Sequence, residues 1–311
     1  MTKPVLLQLC PFSPALEQEL NQTFEVCRLF ELTDSDGWLK DHGATVQAIA
    51  TGGHIGAPNA LIERLPGLGI VAINGVGFDK VDLDLARSRG IRVTTTPQVL
   101  TEDVADMAVG LIIALLRGVV PADGHVRSGA WLEGERPLAR KVSGRRFGVV
   151  GLGQIGGAIA ARLSPFGPVA YTDLAEKPGP YRFAPNLLAL AESSDVLILA
   201  SSANASTRHL VNDAVLRALG PEGYLVNVAR GSLVDEDALT AALAQGRIAG
   251  AALDVFADEP RVPEALIAAP GTVLTPHIGS ATVETRQAMA DLVIANLRAF
   301  IAGAPLPSAL V

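Results

Sequence analysis

The chain has 311 residues, 49% hydrophobic and 18% charged, with a formal net charge of -7. That length exceeds one comfortable hydrophobic core and predicts two domains with a cleft between them. No apolar run approaches the roughly 18 residues of a membrane span, and no Lys/Arg run supplies the clustered cations that a phosphate backbone demands, so neither a membrane nor a nucleic acid is expected as partner.

The N-terminus, MTKPVLLQLCPFSP, has one lysine and a short apolar stretch broken by Pro11 and Pro14. It lacks a signal-peptide hydrophobic region and reads as the first strand of a cytoplasmic protein. Cys10 and Cys27 stand without a CxxC or Cys/His pattern, so no metal site or disulfide framework is expected and both read as small buried hydrophobes. Short apolar runs then alternate with helix-length segments: Val5 to Leu9, Ala48 to Thr51, Ile70 to Asn74, Phe147 to Gly151, Val196 to Ala200, Tyr224 to Asn227 and Gly250 to Asp254. Such alternation is the signature of an α/β fold with parallel strands joined by helices. Thr101 caps a strongly apolar helix ending near Leu116, read as a connector between domains. A polar stretch holding Trp131 follows, from Gly118 to Arg145. Near the end, Met289, Leu292, Val293 and Leu297 recur at helical spacing in Thr282 to Phe300, which returns the chain to the first domain. The expected organisation is two Rossmann-like parallel-sheet domains, the first discontinuous: 1–97 plus 285–311 for the substrate, and 98–284 for a dinucleotide.

The segment RRFGVVGLGQIGGAIAARL sets Gly151, Gly153 and Gly156 in a GxGxxG pattern between a strand and a helix. Gly151 permits the tight turn, Gly153 admits a pyrophosphate to the backbone, and Gly156 allows close helix packing, while the amides of Gln154 and Ile155 begin the helix that faces the anion. Asp173 follows Gly151 by 22 residues, at the end of the next strand, Val169 to Thr172. A carboxylate there accepts hydrogen bonds from the adenosine ribose hydroxyls and repels a 2′-phosphate. NAD is therefore the expected cofactor. NADP stays open as the alternative, because Lys177 and Arg182 lie within reach of a phosphate.

Three later segments each follow an apolar strand: VNVARGSLVDEDAL, GAALDVFADEP and LTPHIGSATVETR. Strand carboxyl ends converge on the ligand crevice of an open α/β sheet, which draws Arg230, Asp254, Glu259 and His277 together. Reduction of a 2-oxo acid asks for these residue types. The planar guanidinium of Arg230 suits the substrate's carboxylate and carbonyl oxygens. His277 can deliver a proton to the oxygen as hydride reaches carbon, and Glu259 can orient its ring and favour its charged form. Asp254 either holds the nicotinamide carboxamide or shapes the cleft. His42, His54, His125 and His209 lack a comparable context.

GLGQIG, NVARGSLVDEDAL, ALDVFADEP and TPHIGS together resemble the signatures of the D-isomer-specific 2-hydroxyacid dehydrogenase family, and the resemblance runs over nearly the whole chain. It implies catalytic Arg230, Glu259 and His277, with Asp254 near the nicotinamide. The stretch NGVGFDKVDLDLARSRGIRVTTTPQVLTEDVAD resembles the family too, implying that amides at Val76 and Gly77, with Gly52 and Gly53 nearby, hold the substrate carboxylate. VGFDKVD and GSATVETRQAMADLVIANL are most similar to the glyoxylate, hydroxypyruvate and hydroxyphenylpyruvate reductase branch, often NADPH-dependent. Two departures stand out: Asp173-Leu174 where that branch has Ser-Arg, and Ser201-Ser202 where the family has Cys-Pro. The resemblance further implies a homodimer with an interface arm around Trp131. Fold likeness alone also admits a non-enzymatic NAD-sensing corepressor, or a formate or phosphite dehydrogenase on the same scaffold.

Overall fold

The computed structural model describes residues 3–311. They form two compact units, one running to Leu100 and resumed at Thr282–Val311, the other spanning Thr101–Ala281.

The first unit is built on five parallel strands: β1 (Val5–Gln8), β2 (Glu25–Arg28), β3 (Val46–Gly52), β4 (Ile70–Asn74) and β5 (Arg92–Thr94), in the order β2-β1-β3-β4-β5. Side chains alternate between its faces. Leu6, Ala48, Ala50, Ile70 and Ala72 pack with Leu16, Leu20, Ala290, Val293 and Leu297, whereas Leu7, Ile49, Val71 and Val93 pack with Ile62, Leu65 and Ala86. Helices thus cover both faces, as parallel sheets require. The helix Pro14–Thr23 is fixed at its start by Ser13, which accepts from the Leu16 N–H, and by proline in its first turn. The helix Val283–Ile301 is started by Thr282, accepting from the Thr285 N–H, and lies on the first helix and β4. After it the chain runs back along β5, where Leu310 N–H donates to the Val93 carbonyl at 2.7 Å.

The second unit holds seven parallel strands: β6 (Phe147–Val150), β7 (Val169–Thr172), β8 (Arg182–Phe183), β9 (Val196–Leu199), β10 (Tyr224–Asn227), β11 (Gly250–Leu253) and β12 (Thr272–Leu274), ordered β12-β11-β10-β9-β6-β7-β8. Strand order reverses between β6 and β9. That switch is where a doubly wound sheet opens a crevice beyond its strand ends. The apolar helix Thr101–Arg117 buries Val104, Ala108, Leu111, Ile112 and Leu115 and packs on the helix Gln154–Leu163 and on β11. Where the sequence suggested a connector, the structure shows a core helix of this unit, because its apolar stripe finds its partner here.

Two further expectations are corrected. The stretch after Gly118 contains the helix Val119–Arg127, whose periodicity is hidden because Val119, Val120 and Val126 are exposed rather than buried. Cys10 is buried, but Cys27 is only half-buried on the edge strand β2. Among the described residues no single helix is long and apolar enough to cross a membrane.

Candidate active site

The turn after β6 gives each glycine of GxGxxG a separate physical reason. Gly151 has φ +87°, a left-handed conformation that side chains resist, and a Cβ there would stand 2.8 Å from the Ser201 backbone across the switch between β6 and β9. A Cβ on Gly156 would meet the Gly151 carbonyl oxygen at 1.9 Å. On Gly153 it would meet nothing within 4 Å, so that space is left to a ligand rather than to packing. Gly153 is also the N-cap of the helix Gln154–Leu163 and brings no capping side chain. The N–H groups of Gln154 and Ile155 therefore begin the helix without that satisfaction, beside its positive end. In the same unit the helices Leu187–Glu192, Asp213–Leu219 and Glu236–Ala244 are capped by Asn186, Asn212 and Asp235. The buried Ser201 hydroxyl, next to Gly151, has no partner among the described residues. These features fit the pyrophosphate of a dinucleotide.

Asp173 directly follows β7 beside this turn. Its Oδ2 accepts from the Leu152 N–H at 2.9 Å and pairs with Lys177 Nζ at 2.6 Å, and its Oδ1 accepts from the Leu174 N–H at 2.7 Å. Burial works to raise this carboxyl, but the Lys177 ammonium and the two amides outweigh it and hold the group below its ordinary value.

Glu259 and His277 meet beyond the far strands, β11 and β12. His277 Nδ1 and Glu259 Oε2 are 2.7 Å apart, both partly buried, and Glu259 Oε1 accepts from the Phe256 N–H at 3.0 Å. With one oxygen tied to its own loop, the carboxylate is held still while the other orients the imidazole. His277 adopts φ +55°. A non-glycine residue in that region is strained and persists only where its surroundings dictate it. Asp254 supplies that dictation. Only 1% exposed, it accepts from Thr275 Oγ1 at 2.6 Å and the Ile278 N–H at 2.9 Å through Oδ1, and from the Gly279 N–H at 2.8 Å through Oδ2. Its own carbonyl accepts from the His277 N–H at 2.8 Å. These bonds tie Asp254 to the loop that carries His277.

Arg230 follows β10 on a turn clamped by the fully buried Asn227, which donates to the Arg230 carbonyl at 2.8 Å and accepts from the Ala229 N–H at 3.0 Å. The guanidinium donates to the Ala229 carbonyl at 2.7 Å. Gly231 sets this turn directly on the loop carrying Glu259, since a Cβ would lie 1.9 Å from the Phe256 carbonyl carbon. Glu236 reinforces the contact by accepting from the Ala257 N–H at 2.8 Å. Asn227, Gly231, Glu236 and Thr275 were given no role on the sequence. Their only signal was membership of the same three segments.

Gly52, Gly53, Val76 and Gly77 belong to the first unit. Gly52 ends β3 in register with Asn74 at the end of β4, so the turns Gly52-Gly53 and Gly75-Val76-Gly77 lie side by side at the carboxyl edge of that sheet. Gly75 has φ +156°, and a Cβ on it would stand 3.5 Å from the Gly53 nitrogen.

The sequence profile of a family described as "D-isomer specific 2-hydroxyacid dehydrogenase, NAD binding domain" matches residues 109–279. The chain belongs to this family. It is 47% identical over 303 residues to a glyoxylate/hydroxypyruvate reductase A of Arabidopsis thaliana, covering 97% of each chain. Among solved structures, a 2-hydroxyacid dehydrogenase from Ketogulonicigenium vulgare matches with TM-score 0.92 and 46% identity over 100% of this chain and 99% of that one. An NADPH-dependent glyoxylate/hydroxypyruvate reductase from Sinorhizobium meliloti, crystallised with NADP and malonate, matches with TM-score 0.92 and 42% identity over 100% and 97%. The two-unit α/β architecture and the NAD(P)-dependent dehydrogenase class follow from these matches. The dehydrogenase's glycine turn, Asp173, Asp254 and His277 all fall within the matched span.

Proposed function

We propose that this dehydrogenase reduces a short 2-oxo acid, glyoxylate or hydroxypyruvate, to the corresponding 2-hydroxy acid. The observation that carries the reading is the Glu259–His277 pair at 2.7 Å, held on a strained backbone in the unit that bears the dinucleotide turn. When bound at that turn, a nicotinamide dinucleotide supplies the hydride. His277, with Nδ1 engaged by Glu259, passes a proton from Nε2 to the carbonyl oxygen as the carbon is reduced, and the neutral ring recovers its proton from solvent. Arg230 holds the substrate carboxylate and polarises the carbonyl. Gly151, Gly153, Gln154, Ile155 and Gly156 seat the pyrophosphate, Asp173 the ribose, and Asp254 keeps the His277 loop in place.

The relatives support this choice of substrate, because the Arabidopsis and Sinorhizobium proteins bear the names of those reductases. We place the enzyme in the cytoplasm, in keeping with its two unpaired thiols. A homodimer is part of the same reading. Trp131, Leu132 and Leu138 are 65%, 95% and 99% exposed, and Val119, Val120 and Val126 add to the apolar surface that a second copy would cover.

The test is a spectrophotometric panel of glyoxylate, hydroxypyruvate, pyruvate and 4-hydroxyphenylpyruvate with NADH and NADPH. His277→Ala is expected to lose about 10²–10⁴-fold in kcat. Dinucleotide binding without turnover of any panel member, or full turnover by the variant, refutes the proposal.

A further inference from the structure

Asp173 is the residue expected to exclude a 2′-phosphate, yet it does not stand as a bare anion. Lys177 Nζ pairs with its Oδ2 at 2.6 Å and donates to the Leu152 carbonyl at 2.9 Å. The lysine's place is set by the fold. Its N–H donates to the hydroxyl of Tyr171 at 2.6 Å, and that hydroxyl donates back to its carbonyl at 3.0 Å. Tyr171 is itself 1% exposed, and its ring lies against Phe183 with centroids 5.4 Å apart. The loop from Asp173 to Lys177 is thereby stitched to the core of the sheet, and the ammonium is delivered to the ribose corner of the dinucleotide turn.

Three consequences follow from that placement. The ion pair cancels the single negative charge that would repel a phosphate. An ammonium has three donors, of which two serve Asp173 and Leu152, leaving one for an incoming oxygen. The Lys177 side chain is 42% exposed and Leu174 projects fully into solvent, so neither closes the corner against a larger ligand. Arg182 is turned toward Ser193, to whose hydroxyl it donates at 2.8 Å, so it is not the residue placed here.

We propose that Lys177 makes the Asp173 corner permissive, so that the enzyme takes dinucleotides with either a free ribose 2′-hydroxyl or a 2′-phosphate, the lysine contacting the phosphate and the aspartate the hydroxyl. This deepens the dinucleotide reading of the second unit. Asp173 alone predicts strong selection against the phosphorylated cofactor, and the pair predicts little.

The experiment uses adenosine fragments, 5′-AMP and its 2′-phosphorylated form, titrated calorimetrically into the full chain, so that it does not depend on turnover of any 2-oxo acid. In the unmodified protein the two fragments are expected to bind within about tenfold of each other. Lys177→Met is expected to weaken the 2′-phosphorylated fragment by about tenfold or more while leaving 5′-AMP within about twofold, and Lys177→Arg to restore it, as loss and return of one charge-assisted contact would do. Discrimination beyond tenfold against the phosphate in the unmodified protein overturns the proposal. So does a parallel weakening of both fragments by Lys177→Met, which would mean that the lysine only braces the turn. Intact fragment binding with no 2-oxo acid turnover would leave this inference standing while removing the proposed reaction.

Discussion

Gly231→Ala tests how the site is assembled. The methyl group would lie 1.9 Å from the Phe256 carbonyl carbon, 2.2 Å from its oxygen and 2.3 Å from the Ala257 nitrogen, all backbone atoms that cannot rotate aside. To reach the 3.4 Å of ordinary contact, the Arg230 turn and the Glu259 loop must separate by about 1.5 Å. Overpacking of this kind costs roughly 1–3 kcal/mol of stability, and a displacement near 1 Å between groups that must act together costs on the order of 10²-fold in rate. The expected outcome is a melting temperature lower by several degrees and kcat/KM for hydroxypyruvate down about 100-fold. Calorimetric binding of 5′-AMP should be retained, because the glycine turn after β6 is untouched. Gly110→Ala is the control: it sits exposed on the helix Thr101–Arg117 with nothing within 4 Å of an added Cβ, and should gain roughly 0.5–1 kcal/mol with unchanged activity. If Gly231→Ala keeps activity within about threefold of the unmodified enzyme, the close approach does not set the Arg230 geometry and the reasoning fails.

Other substitutions separate packing from binding. Gly153→Ala should fold normally but lose dinucleotide affinity, since its Cβ enters open space that the pyrophosphate would use, whereas Gly156→Ala should also lower the melting temperature by pressing on the Gly151 carbonyl. A Gly153→Ala protein that binds NADH normally would contradict the assignment. Burial, aided by Asp237, Asp258 and Glu259, raises the Glu236 carboxyl above its ordinary 4.5, so ionisation costs the folded state more than the unfolded one. Glu236→Gln, which still accepts from Ala257, should match the unmodified protein in acid. It should become the more stable of the two as pH climbs from about 4.5 through the raised value, and urea melts across that range would show a widening gap. Burial pushes the Cys10 thiol up to about 11, with its Gly52 backbone bond working the other way. Iodoacetamide at mildly alkaline pH should therefore leave Cys10 unmodified in the folded protein, and prompt alkylation there would argue against that burial.

Legibility in the sequence followed the length and two-sidedness of each element. Strands buried on both faces, such as Ile70–Asn74 and Tyr224–Asn227, were plain as apolar runs. Edge or very short strands were not: Glu25–Arg28 is half exposed, Arg182–Phe183 has two residues, and Arg92–Thr94 and Thr272–Leu274 have three each, too few to show a period. With the two-residue edge strand β8 set aside, the run β7-β6-β9-β10-β11 of the second unit repeats the order β2-β1-β3-β4-β5 of the first, although the sequence shows no internal repeat. Topology of this kind constrains which positions are buried, not which apolar residue fills them, so two units can share it without sharing letters.

The site divides along a similar line. Residues proposed to do chemistry are charged or distinctive in shape and stand out from an apolar strand, as Arg230, Glu259, His277 and Asp173 do in the sequence. Residues that place them are ordinary in type. Asn227 looks like a strand end and Thr275 like a turn, until their bonds to Arg230 and Asp254 are seen. Asp173 shows the limit most directly, because the sequence left both Lys177 and Arg182 within reach of a phosphate without showing which of them meets the carboxylate. Four residues on, a lysine with no motif around it is brought back by Tyr171 to the same carboxylate, and what the corner repels depends on the pair. On the proposal made for Lys177, cofactor choice in this dehydrogenase is a property of the folded loop, and the substitution that reads it is at Lys177 as much as at Asp173.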